Sequence, residues 1–233
     1  MALDINPGTV IIPAHVWTPW YGVFGTKSGF DSLEECFLDM TPQIHAIESG
    51  LSSDPAMIRP IAELSDKTIV SFSDAHSPAK LGRELTVFQG EPSYQGFADA
   101  LANQRVEYTV EVYPEEGKYH YSGHRKCGVR QNPEETRNQG NRCPVCGRLL
   151  TLGVLHRVAS RYTLSQMENH NSGATNANGF VENSQGRPPF IRLVPLLELI
   201  ADSLGRGAAT KGVVAQYNRL VQEIGSEIDV LMS

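Results

Sequence analysis

Short apolar runs alternate with helix-like stretches over residues 1–113. Thr9-Val10-Ile11-Ile12, Ile44-His45-Ala46-Ile47, Lys67-Thr68-Ile69-Val70-Ser71-Phe72 and Leu85-Thr86-Val87-Phe88 each predict a buried strand. Helix starts lie between them. Asp31-Ser32 precedes Leu33 to Leu38, Asp54-Pro55 opens Ala56 to Leu64, and Ser93 precedes Tyr94 to Leu101. Asp and Ser side chains cap free N–H groups, and Pro55 suits a first helical position. This alternation predicts an α/β fold with a parallel sheet. From residue 114 to 160 the periodicity gives way to Gly, Pro, Asn and charge. Residues 161–190, above all Ser165 to Arg187, read as a mobile Asn/Gly-rich loop. Residues 191–233 return to helical spacing, with Leu193, Leu196, Leu197 and Ile200 and then Val213, Val214, Tyr217, Leu220, Val221 and Ile224.

Charge sharpens the second region. The chain of 233 residues has a net charge of −6, yet Lys118 to Arg148 carries seven Lys/Arg against two acids. That is +5 locally and −11 elsewhere, so the chain as a whole is no polybasic binder. No apolar run approaches the ~18 residues of a membrane span. Met1-Ala2-Leu3-Asp4 has neither the basic nor the apolar part of a secretion signal. A cytoplasmic protein is expected, in which a CxxC pair signals metal or redox chemistry before a disulfide framework.

Three constellations carry candidate chemistry. His15 and Asp74-Ala75-His76 each close a predicted buried strand, on the face where parallel α/β folds place their sites. Asp74 and His76 are two apart and project to one side of extended backbone. Two histidines and an aspartate can hold Zn, Mn or Fe. The plainer reading is a helix-capping Asp beside a hydrogen-bonded His. Second, His124-x2-Cys127 and Cys143-x2-Cys146 form two knuckles 15 residues apart, the pattern of a closed structural zinc site. Lys118, Arg125, Lys126, Arg130, Arg142 and Arg148 surround them, fitting a nucleic-acid backbone or merely a solvated basic face. Third, Trp17, Trp20 and Phe24 follow His15 in a Gly/Pro-bracketed loop that fits either base stacking or ordinary packing. Gly25-Thr26-Lys27-Ser28 is no phosphate-binding loop, because Thr26 separates the Gly from the Lys.

Longer signatures link these positions: Ile12 to Trp20, Glu48 to Pro55, Ser73 to Pro78, Tyr113 to His120, Cys143 to Gly147, and Arg187-Pro188-Pro189-Phe190. Together they resemble the endonuclease Q family of the PHP (polymerase and histidinol phosphatase) superfamily, with residues 165–186 outside the likeness. The resemblance implies a partial PHP-type distorted TIM-like β/α barrel, with a zinc-knuckle insertion and a C-terminal helical segment. It implies cleavage 5′ to deaminated bases or abasic sites in DNA repair. It places His15, Asp74 and His76 on a catalytic metal cluster of Zn2+, Mn2+ or Mg2+, and leaves Glu48 near the site as a catalytic or supporting carboxylate.

One departure shapes the expectation. PHP metal sites begin with an H-x-H at the first strand end, and this chain has no H-x-H. Residues 1–113 are therefore expected to be the C-terminal part of the barrel, inactive or weakly active alone. The rest of the barrel would come from a missing N-terminal half, lost by truncation or a late start, or split off as a partner. Rival readings are a PHP-type phosphomonoesterase and a non-catalytic zinc-containing nucleic-acid-binding module. A small phosphate ester needs neither the zinc insertion nor its basic patch.

Overall fold

The computed structural model describes residues 2–27, 29–161, 175–182 and 186–233. The expectation for residues 165–187 therefore lies mostly outside the described residues. Five short strands form the wall that positions the rim residues. They are β1 (Ala46–Glu48), β2 (Thr68–Val70), β3 (Leu85–Phe88), β4 (Val106–Glu111) and, far along the chain, β7 (Phe190–Arg192). β1 pairs parallel with β2, with Ile47 opposite Ile69. β4 pairs parallel with β7 and antiparallel with β3. The Thr86 hydroxyl joins the two sheets, accepting from the Ser71 N–H (2.8 Å) and donating to the Ser71 carbonyl (2.9 Å).

The β3–β4 pairing corrects the all-parallel expectation. Helix α4 (Tyr94–Ala102) sits inside a β-hairpin whose ends close where Gln89 N–H donates to Arg105 O. Strand–helix–strand order in sequence does not separate such a hairpin from a parallel crossover. No closed barrel forms among the described residues, whose strands fall into sheets of two, three and two. Thr9–Ile12 is not a ladder strand. Pro7 and Pro13, which lack N–H donors, bracket it. Val10 and Ile12 still pack on Ala46, Val70 and Leu101, and Pro13 O accepts from Glu48 N–H at 3.0 Å.

The expected caps are present. Ser32 caps α2 (Leu33–Phe37), Asp54 caps α3 (Pro55–Ile58) and Ser93 caps α4 through their side chains. Helix α3 is shorter than expected because Pro60 cannot continue it, and the chain resumes as a 3-10 turn over Ala62–Leu64.

The main core gathers Val16, Trp17, Phe24, Leu33, Ile44, Ile47, Ile58 and Leu64. It also takes Val154 and Val158 from α6 (Val154–Arg161), both fully buried. Burying such a side chain stabilises by roughly 1.5–3 kcal/mol. The segment that carries the two knuckles thus leaves and re-enters one core. α6 secures the re-entry, since Arg157 donates to Phe24 O, Phe30 O and the Asp31 carboxylate. The C-terminal helices α7 (Leu196–Ser203), α8 (Lys211–Ile224) and α9 (Glu227–Leu231) bury Leu196, Ile200, Ala201 and Val213 among themselves. Among the described residues no helix is long and apolar enough to cross a membrane.

Candidate metal and nucleic-acid site

His124 ends β5 (Ser122–His124), which pairs antiparallel with β6 (Val129–Gln131). Cys127 closes the 3-10 turn between the two strands. Cys143 and Cys146 sit on a tight knuckle. Gly147, at φ 71°, turns the chain so that its N–H donates to Cys143 O (2.8 Å) and Cys143 N–H reaches Arg148 O (2.7 Å). The ligand atoms of His124, Cys127, Cys143 and Cys146 all lie within 4.8 Å of one another, with Cys146 Sγ 3.3 Å from His124 Nδ1. Ligands of a tetrahedral zinc stand about 3.5–3.8 Å apart, so this donor set fits that ion. Their protonation fits as well. Burial and the neighbouring thiols push Cys127 up to about 11. Burial also raises Cys143, but N–H donation from Cys146 and Val145 outweighs it and lowers that thiol to about 6. The cluster thus shares protons that a cation displaces. The segment has little else to fold around. Between residues 115 and 152, Cys143 and Leu150 are the buried apolar side chains.

The strand-end residues form a second cluster. His15 (φ 32°) and Asp74 (φ 45°) both hold left-handed backbone, which is costly for non-glycine residues and concentrates at functional sites. Gly50 allows the approach, since a Cβ there would stand 2.5 Å from His15 Cβ. Thr18 Oγ1 lies 2.7 Å from His15 Nδ1 and also faces the carbonyls of His15 and Trp20. Carbonyls only accept, so the hydroxyl proton goes to one of them and Oγ1 accepts from Nδ1–H. The Nε2 lone pair of His15 is left free. His76 behaves alike, its Nδ1 donating to Asp74 O at 2.9 Å. Glu48 is buried between the two arms. Its Oε2 accepts from His15 N–H at 2.8 Å. Burial raises its pKa, His15 opposes the rise, and Asp74 adds to it. His15, Asp74 and His76 nevertheless do not gather as the knuckle ligands do. Among the described residues, only the His/Cys four bring three or more such ligand atoms within 4.8 Å.

Sequence reasoning missed several residues around this rim. Arg83 donates to the Ser73 carbonyl (2.8 Å) and the Asp74 carbonyl (3.4 Å), holding the D-x-H turn. Below it, fully buried Glu111 accepts from the hydroxyls of Thr109, Ser49 and Ser71. Its neighbour Glu84, 2% exposed, accepts from Val112 N–H and leaves Oε2 unpartnered. Burial raises both carboxyls, Glu111 to about 7 and Glu84, further burdened by Glu111, to about 9. An acidic residue within a strand pattern was the available signal, since only tertiary burial makes it unusual.

A cavity of about 520 Å³ runs from Trp20 to the knuckles. Lys118, Arg125, Lys126, Arg130 and Arg148 line it, together with Tyr119, Tyr121, Glu115 and Glu116. Five of the six expected cations thus share one groove. Arg142 lies outside its lining and donates to Gly147 O, bracing the knuckle. Trp20 is 41% exposed and meets Tyr119 edge-on at 5.6 Å, while Arg130 stacks 3.8 Å over Tyr121. Trp17 corrects the expectation of a base-stacking ring. It is 1% exposed and packed on buried Phe24, so neither ring is accessible. Alternation of apolar residues in that loop could not separate the inward ring from the outward one.

Comparison with known proteins bears on this arrangement. Residues 195–233 match the family described as the MJ0043 C-terminal domain. The protein MJ0043 of Methanocaldococcus jannaschii is 31% identical over 225 residues, covering 93% of this chain and 26% of that protein. YqxK of Bacillus subtilis is 33% identical over 156 residues, 65% of this chain and 38% of its own length. Among solved structures, the lesion-specific endonuclease PfuEndoQ from Pyrococcus furiosus matches with a TM-score of 0.75 and 30% identity. The match covers 95% of this chain and 52% of that one. Endonuclease Q in complex with a 27-mer duplex carrying an abasic lesion at the active site matches at TM-score 0.76 and 30% identity, covering 93% and 51%. The chain thus spans about half of the solved chains and less of the curated relatives.

Proposed function

We propose that this chain, similar in sequence and fold to half of an endonuclease Q, supplies one wall of a metal-dependent DNA endonuclease site and the groove that holds its DNA. The observation that carries this reading is the likeness to endonuclease Q bound to an abasic duplex. The rim geometry supports it. His15 and His76 offer Nε2 lone pairs with Nδ1 already committed, the state in which imidazole binds metal. Asp74 adds a carboxylate, and buried Glu48 fixes the His15 backbone. A divalent metal there supplies Lewis-acid polarisation of a phosphodiester. The rest falls to the chain's own side chains. Lys118, Arg125, Lys126, Arg130 and Arg148 neutralise backbone phosphates, while Trp20, with Tyr119 against it, offers a face for a base turned out of the stack. Deaminated bases and abasic sites are the substrates of this reading because the endonuclease Q likeness implies them, the solved relative being bound to a duplex with an abasic lesion. His124, Cys127, Cys143 and Cys146 would hold a zinc ion in a structural role, because four protein ligands would leave no open position.

The remaining metal ligands belong to an H-x-H half outside this sequence. The test is nicking of a duplex holding one uracil or abasic site, with Mn2+ or Mg2+. Little cleavage is expected from the chain alone. Cleavage is expected when a polypeptide carrying the N-terminal half of an endonuclease Q is added, and its loss in Asp74→Asn. Turnover of p-nitrophenyl phosphate without DNA binding would point to a phosphomonoesterase instead. DNA binding without cleavage in any combination would leave a non-catalytic zinc module.

A further inference from the structure

The knuckle cysteines differ in access. Cys143 is 2% exposed and Cys127 half-buried, whereas Cys146 is exposed at the tip of its turn, next to Val145 at 69%. Arg142 donates to the carbonyl of Gly147, and Arg148 follows it, so the open thiol stands in basic surroundings. A partly exposed cysteine among cations, with a second thiol at hand, is the environment of oxidant-sensitive pairs. Cys143 supplies that second thiol. Its sulfur lies within 4.8 Å of the Cys146 sulfur, and the two residues have C-x-x-C spacing.

The same turns carry the groove. Arg125 and Lys126 fill the span between His124 and Cys127, Arg130 stands three residues past Cys127, and Arg148 two past Cys146. Cys143 N–H donates to Arg148 O, which ties that cation to the knuckle. Apolar burial does little to hold this segment, since Cys143 itself is one of its two buried apolar side chains between residues 115 and 152. Lys118 is held differently. Its ammonium lies 4.7 Å over the Tyr119 ring, which packs on the main core. Loss of the four-ligand link would thus unfix Arg125, Lys126, Arg130 and Arg148 together and leave Lys118 in place.

We propose that Cys143 and Cys146 form a hydroperoxide-sensitive pair whose oxidation to a disulfide breaks the zinc site and releases DNA from the groove. The inference rests on the zinc and groove readings above. Cys146 Sγ, as thiolate, attacks one oxygen of hydrogen peroxide, and the O–O bond breaks to give a sulfenic acid and hydroxide. Cys143 Sγ, also as thiolate, then attacks the Cys146 sulfur, and a second hydroxide leaves as the S–S bond forms. Each hydroxide takes a proton and departs as water, so two electrons pass from the two sulfurs to the peroxide. His124 and Cys127 remain, two donors where zinc takes four. A thiol reductant reverses the step by exchange.

The test uses the full chain loaded with zinc. Hydrogen peroxide should transfer its zinc to a chromogenic chelator, and non-reducing peptide mapping should find Cys143 joined to Cys146. In step with zinc release, the salt slope of duplex binding should fall from about −4.5 toward about −0.9, the value for Lys118 alone. Dithiothreitol with added Zn2+ should restore the parent slope. Cys146→His keeps four donors without the exposed thiol, and should retain zinc and slope through the same treatment. Zinc and slope unchanged by peroxide in the parent, a disulfide between other cysteines, or zinc release with the slope intact would each overturn the proposal. DNA binding that is insensitive to salt before any oxidation would instead refute the groove reading. Zinc release, the mapped disulfide and new trypsin cuts in residues 115–152 would then still decide the thiol pair.

Discussion

The groove makes a quantitative demand on DNA binding. Five cations line it, and each phosphate neutralised releases counterions, changing log K with log salt by about −0.9 per contact. Five contacts give a slope near −4.5. Raising salt from about 50 to about 200 mM should then weaken binding roughly 500-fold. Lys126→Ala and Arg148→Ala should each lower the slope by about one contact and weaken binding at low salt, whatever the lesion. Trp20→Ala should behave differently. Its half-exposed ring offers stacking worth ~1–3 kcal/mol per base, so affinity should fall ~5- to 150-fold with the slope unchanged. Fluorescence anisotropy of a labelled 20-mer-scale duplex across a salt series reads both quantities. A slope shallower than about −2, or slopes in both cation variants equal to that of the parent, would refute the claim that this groove follows a phosphate backbone.

Other consequences follow from particular groups. Cys143→Ser should release the metal, measured by elemental analysis, and open residues 115–152 to trypsin, because Cys143 and Leu150 are all the apolar burial that segment has. Survival of an intact, protease-resistant segment would show that zinc is not its staple. Thr18→Val removes the acceptor for His15 Nδ1–H and should lower metal affinity at the rim about 10- to 100-fold by calorimetry, with the melting temperature little changed. Glu111 and Glu84 have raised folded-state pKa values, about 7 and about 9, so the folded chain binds protons more tightly than the unfolded one. Their contribution is complete below the ordinary carboxylate pKa. It is lost as pH rises toward those values, at up to about 1.4 kcal/mol per pH unit per group. Glu84→Gln should therefore flatten the decline of thermal stability between about pH 5 and 9. A melting profile parallel to the parent's would sink that assignment.

What the sequence disclosed and what it hid divide along one physical line. Local chemistry is written locally. Ser32, Asp54 and Ser93 cap the helices that they precede, and the two knuckles, at metal-ligand spacing within a short, nearly core-free segment, converge on one donor set. Long-range pairing is not written that way. The helix lodged in the β3–β4 hairpin looks in sequence like a parallel crossover, and only the ladder between Leu85 and Val110 reveals the reversal. Burial is likewise a property of the whole. Trp17 and Trp20 stand three apart in one loop, yet one is core and the other lines the groove. Glu84 and Glu111 read as ordinary strand acids until the fold closes over them. The rim lies between these cases. His15, Asp74 and His76 are recognisable from their strand-end positions, and the structure adds what spacing could not. Those additions are left-handed backbone at His15 and Asp74 and an Nδ1 hydrogen bond on each histidine, the arrangement that the proposed metal site would use. On the reading proposed above, three donors held this way yet not gathered like the knuckle four would form one wall of a larger metal site, with orientation set here and closure supplied by further ligands.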